Sequence, residues 1–116
     1  MDLLSDEALL KQLGYTVTNG TMRKIEKVIE NTPGIAHIKK HLLQLNDALR
    51  AHDSFVAISN SEDYFKIKNE AKNEEERNEV NRKVEKWGEK YKISLKKVEG
   101  KETYYILGHK LKEPVT

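Results

Sequence analysis

The chain contains no cysteine, which excludes disulfides, zinc–thiolate centres, iron–sulfur clusters and thiol nucleophiles in one step. It also has no G-x-G-x-x-G pattern and no glycine-rich stretch ending in Lys-Ser or Lys-Thr, so no nucleotide-phosphate cradle is legible. No apolar run approaches the length of a membrane span. The opening residues Met1, Asp2, Leu3, Leu4, Ser5, Asp6 and Glu7 are acidic, where a secretory leader needs a positive segment. The expectation is a soluble cytoplasmic protein without a cofactor.

What is present is charge. Charged residues make up 34% of the 116 residues and apolar ones 37%, polar for a globular chain but with enough periodic apolar segments to fold. The length predicts a single small domain over residues 1–108 with a flexible tail over 109–116. Net charge is only +2, so bulk electrostatics attract nucleic acid weakly. The distribution is more informative: residues 69–89 are rich in glutamate, whereas residues 90–112 hold seven lysines against Glu99 and Glu102. A basic carboxyl-terminal region therefore follows an acidic helix.

Four helices are predicted. Ser5 caps the first, with Leu4 and Leu9 at the staple positions and Gly14 as its stop. Thr21 is a cap for the second, whose Met22, Ile25, Val28 and Ile29 share a face that Pro33-Gly34 ends. In the third, Ile35, Ile38, Leu42, Leu45 and Leu49 recur in alternating steps of three and four, the seam of a short coiled coil, to be satisfied by the second helix or by a second copy of the chain. The fourth is capped by Asn73, with Glu76 three residues on, and carries the stripe Val80, Val84, Trp87 and Tyr91; Gly88 weakens its last turn.

Between and after these helices the period changes to two. Phe55-Val56-Ala57-Ile58 and Tyr64-Phe65-Lys66-Ile67-Lys68 flank the turn-rich Asn60-Ser61-Glu62-Asp63, and residues 92–98 and 103–107 flank Glu99-Gly100-Lys101-Glu102, so two hairpins are predicted. The chain thus reads as an α+β protein: a helical amino-terminal half, then two helix-plus-hairpin units whose strands join in one small antiparallel sheet packed on helices.

Motifs for catalysis are absent. His37 and His41 are one turn apart, but Ile38 replaces the glutamate a hydrolytic metal site needs, and Lys39 and Lys40 oppose a cation, so a solvated face is expected and no metal. His52-Asp53-Ser54 has the composition of a hydrolase triad, yet three consecutive side chains cannot line up as one; cap and turn chemistry explains them. Glu62-Asp63 occupies a turn and Glu74-Glu75-Glu76 the start of a helix, where carboxylates complement the backbone dipole. No enzyme is expected.

Alternation assigns Val56, Ile58, Phe65, Ile67, Ile93 and Leu95 to the core face of the strands, leaving Phe55, Tyr64, Lys66, Lys68, Lys92, Ser94 and Lys96 on the other. In the last strand Tyr104 and Ile106 oppose Thr103, Tyr105 and Leu107, and alternation leaves open which set faces out. Lysines interleaved with rings suit single-stranded nucleic acid, charge for phosphates and rings for bases. Residues 21–68, helix, Pro-Gly turn, lysine-bearing helix and hairpin, resemble a winged helix-turn-helix, lacking a separate short helix before the recognition helix unless residues 3–13 supply it. That resemblance implies that Lys39 and Lys40, with His37, His41 and Gln44, face a DNA groove. The expected function is therefore non-catalytic binding, by a small nucleic-acid-binding or regulatory protein that takes DNA or RNA through Tyr64, Lys66, Lys68, Lys92 and Lys96. The alternative is a protein-interaction adaptor that forms a homodimer through Ile38, Leu42, Leu45 and Leu49.

Overall fold

A computed structural model describes residues 5–59 and 61–109. Helix α1 (Asp6–Gln12) starts where the Ser5 hydroxyl accepts the Ala8 N–H at 3.1 Å; Leu4, its expected staple residue, lies outside the described residues. Helix α2 (Asn19–Glu30) begins earlier than Thr21 suggests. Thr18 is the N-cap and Thr21 the third helical residue, and each hydroxyl accepts the other's backbone N–H, at 3.0 and 2.8 Å. This reciprocal pair satisfies two otherwise orphaned donors, which a cap at Thr21 would leave open. Helix α3 (Ile35–Leu49) follows the Pro33-Gly34 turn, and α4 (Glu74–Tyr91) is capped as expected by Asn73, whose side chain accepts the Glu76 N–H at 2.8 Å. Among the described residues no helix is long and apolar enough to cross a membrane.

Strands β1 (Phe55–Ile58), β2 (Phe65–Lys68), β3 (Ile93–Lys97) and β4 (Thr103–His109) form one four-stranded antiparallel sheet in the order β1-β2-β4-β3. The two hairpins are joined by β2 and β4, with Phe65 opposite Ile106 and Ile67 opposite Tyr104. Directly opposed residues project to the same side, so these four share the buried face with Val56 and Ile58. The open question of the last strand is settled: Tyr104 and Ile106 face the helices, and Tyr105 and Leu107 face away.

The helices lie on one side of the sheet and fill one core, with Leu9, Leu10, Ile25, Val28, Val80 and Val84 fully buried. Of the proposed dimer seam, Ile38, Leu42 and Leu49 are 0% exposed and Leu45 4%. The seam is occupied within the chain, so self-association through Ile38, Leu42, Leu45 and Leu49 is corrected: a second copy could reach it only by opening the core. The Trp87 indole N–H ties α4 to α3 by donating to the His41 carbonyl at 3.0 Å.

Gly88 marks an approach rather than a weak turn. A Cβ there would lie 2.8 Å from a Leu95 methyl and 3.2 Å from the Ile93 carbonyl oxygen, so the missing side chain lets β3 pack against α4. The end of β4 is similarly engaged. His109 lies in the strand, not in a loose tail, and its N–H donates to the Pro33 carbonyl at 2.8 Å. Gly34 has φ +73°, and a Cβ on it would stand 2.5 Å from the Cβ of His109.

Replacing Gly34 by alanine is therefore expected to add a collision to backbone strain and to destabilise the fold by about 1–3 kcal/mol. Gly100→Ala, at φ +77° with nothing within 4 Å, carries the strain alone, about 1 kcal/mol. Thermal unfolding of both variants checks this: Gly34→Ala should melt lower, and equal melting would exclude the contact as the cause.

Candidate functional site

The sheet face turned away from the helices is the candidate site. The register sets one row across it: Ala57 is opposite Lys66, Lys66 opposite Tyr105, and Tyr105 opposite Lys96. A second row places Phe55 opposite Lys68 and Lys68 opposite Thr103. The Tyr64 and Tyr105 rings sit 5.2 Å apart in a tilted pair. Phe55 is 39% exposed, the only large hydrophobic residue so exposed among the described residues. Lysines and rings thus alternate across strands that lie about 4.8 Å apart.

Two groups on this face have shifted titration. Partial burial, then the neighbouring Lys68 and Lys101 ammoniums, hold Lys66 below the usual lysine value, against an opposing pull from Tyr105. Hydroxyl bonds from Ser61 and then Ser59 favour the ionised Tyr105 and lower its phenol, although nearby Glu62 acts in the opposite direction. On the buried face Tyr104 behaves oppositely. Burial, then the bond it donates to the Glu85 carboxylate at 3.0 Å, keeps its phenol protonated well above the usual value of 10.0.

The remaining candidates are dispersed. Lys68 is on the face but paired with Glu70 at 3.5 Å. Lys92 is not in a strand: it is the C-cap of α4 with φ +58°, which removes it from the sheet-face set. Lys39 is only 9% exposed and pairs with Asp6 at 3.8 Å, so it cannot present its ammonium to a groove; Lys40 is exposed but on a helix, on the other side of the sheet. The β1–β2 hairpin is half of a four-stranded sheet rather than a free wing. The winged-helix arrangement, and with it the groove-facing role of Lys39, is not what this chain builds.

His37 and His41 lie on a partly solvated helix face, but both have ring partners: His37 stacks on His109 at 5.1 Å and His41 on Tyr91 at 3.7 Å. Among the described residues no group of three or more His, Cys, Asp or Glu side chains could hold a metal ion. His52 bonds the Glu76 carboxylate at 3.1 Å and Ser54 donates to the His52 carbonyl, while Asp53 adopts φ +59°. The His-Asp-Ser triplet is turn and cap chemistry, as its position implied.

Strand pairing puts Phe55, Tyr64, Lys66, Lys68 and Lys96 on the outer face, as alternation assigned them; alternation left the side of Tyr105 open and did not single out the turn residues Ser59, Ser61 and Lys101, which gather around Lys66. Alternation in Thr-Tyr-Tyr-Ile-Leu is equally apolar in both phases, so only pairing with β2 selects Tyr105 for the outer face. Compared with protein-family models, curated proteins and solved structures, the chain finds no match.

Alkaline titration followed by phenolate absorbance is expected to show one tyrosine ionising early and one very late. Tyr105→Phe should remove the first and Tyr104→Phe the second. Because folding raises the Tyr104 value above its unfolded 10.0, that group's contribution to stability is complete below pH 10.0 and is lost as pH rises through the folded value. An unfolding series in which Tyr104→Phe leaves the alkaline loss unchanged would show that another group governs it.

Proposed function

We propose that the open sheet face binds single-stranded nucleic acid and performs no catalysis. The observation that carries this reading is the cross-strand row Lys66–Tyr105–Lys96, a ring flanked by ammoniums on both neighbouring strands. Phosphates supply the counter-charge for the lysines, and unstacked bases supply faces for Tyr105, Tyr64 and Phe55. Lysines alone would be explained by solubility and by protection of strands from aggregation. The rings argue for more, because solubility is served by removing them from a solvent-facing sheet.

Duplex binding is disfavoured by the same geometry. A flat sheet face projects no helix or ribbon into a major groove, and bases within a duplex offer no face to a protein ring. Among the described residues neither Lys66 nor Lys96 has a carboxylate within ion-pair distance, so both charges are available to phosphates.

Fluorescence anisotropy with labelled single- and double-stranded DNA and RNA tests the reading. Single strands are expected to bind more tightly than duplexes, with log K falling against log salt at a slope of about −2 for three phosphate contacts at ~0.7 each. Tyr105→Ala should weaken binding by about 1–3 kcal/mol with the salt slope retained. Changing Lys66 and Lys96 together to glutamate should abolish binding and leave the fold intact. No binding by the unaltered protein at low salt would overturn the proposal.

A further inference from the structure

At one part of the open face lies a small cavity of about 110 Å³. Its ammoniums are those of Lys66 and Lys68 from β2 and Lys101 from the β3–β4 turn. Its hydroxyls belong to Ser59 and Ser61 at the β1–β2 turn and to Thr103 and Tyr105 on β4. Among the described residues no carboxylate lines it. Every polar side chain there is therefore a cation or a group able to donate a proton, the lining an oxyanion requires.

Local bonds fix the two serine hydroxyls in place. The Ser59 oxygen accepts the backbone N–H groups of Ser61 and Glu62, both at 3.3 Å, and lies 3.5 Å from the Ser61 hydroxyl, which holds both serines at the cavity. Charge selects the ligand's valence. Glu70 offsets Lys68 at 3.5 Å, whereas Lys66 and Lys101 have no carboxylate within ion-pair distance among the described residues. Two positive charges are thus uncompensated, and a phosphate monoester, carrying about −1.5 to −2 at neutral pH, matches them better than a diester carrying one.

We infer that this cavity is a seat for one phosphate monoester, the terminal phosphate of a nucleic-acid strand lying on the sheet face. The strand as the source rests on the proposed function; the seat rests on its own lining. Burial and the two neighbouring ammoniums already disfavour the charged form of Lys66, and a dianion among them would relieve that repulsion.

The test has two arms on the full chain. In the first, inorganic phosphate is titrated against chloride at matched ionic strength and followed by amide chemical shifts. Saturable shifts are expected at Ser59, Ser61, Lys66 and Tyr105, and Lys66→Gln should remove them. In the second, otherwise identical oligonucleotides ending in a 5′-phosphate, a 3′-phosphate or only hydroxyls are compared by anisotropy. A strand with one of the terminal phosphates is expected to bind about tenfold tighter than the hydroxyl-ended strand. Tyr105→Phe, which keeps the ring and removes its hydroxyl, should reduce that advantage, and Lys101→Gln should eliminate it.

Strands that bind equally well with and without terminal phosphate, together with no saturable phosphate shift, would overturn the seat while leaving the sheet-face reading intact. Saturable shifts without binding of any strand would keep the seat, make a small phosphorylated molecule its occupant and overturn the sheet-face reading. Shifts that grow linearly and spread over the surface would overturn the seat outright.

Discussion

The pairing of β2 with β4 is the contact on which the rest of the molecule depends. Each hairpin alone is a two-stranded ribbon, marginal in water; joined, the two make a sheet wide enough to be covered by helices. The register also decides the sides. It places Phe65, Ile67, Tyr104 and Ile106 together beneath the helices and Lys66, Lys68, Thr103 and Tyr105 together on the opposite face. A slip of β4 by one residue would turn Tyr104 and Ile106 to solvent and bring Thr103, Tyr105 and Leu107 beneath the helices. Core and candidate site are thus the two faces of one pairing event.

Polar side chains complete what the sheet leaves open. The outer edge of β1 has its N–H groups taken by side chains: Val56 donates to the Asn46 amide oxygen at 2.8 Å and Ile58 to the Tyr15 hydroxyl at 2.9 Å. Both close an edge that would otherwise offer donors to another strand. Asn69 does similar work after β2, donating to the Arg77 carbonyl and the Asn81 side chain at 3.0 Å and accepting the Ala71 N–H. Among the described residues no buried side-chain nitrogen or oxygen lacks a partner. Lys39 belongs to the same economy, with its ammonium 3.8 Å from Asp6, which is why a lysine expected to meet a ligand faces inward instead.

Helices and strands were legible because their periods differ and because the caps are local. Ser5 and Asn73 act on donors three residues away, and nothing distant competes with them. Thr18 was missed since Thr21, itself part of the reciprocal pair, looks like a cap when read alone. Lys92 was misplaced by a single position: the chain needs a left-handed residue to leave α4 before β3 starts, and lysine carries no local sign of it. The seam of α3 was read correctly as a buried stripe, but periodicity reports that a face is covered and not what covers it.

The sequence by itself determined the kinds and approximate limits of the elements and the inward or outward alternation within β1 and β2, because those depend on neighbours a few residues apart. Tertiary structure alone decided the phase of β4, the occupant of the α3 seam and the gathering of Ser59, Ser61, Lys66, Lys101 and Tyr105 around one cavity. Those residues lie in two hairpins far apart in the chain. Only hydrogen bonding between β2 and β4 brings them together, and that pairing is chosen by burial of the opposite face rather than by any signal in the residues that form the site.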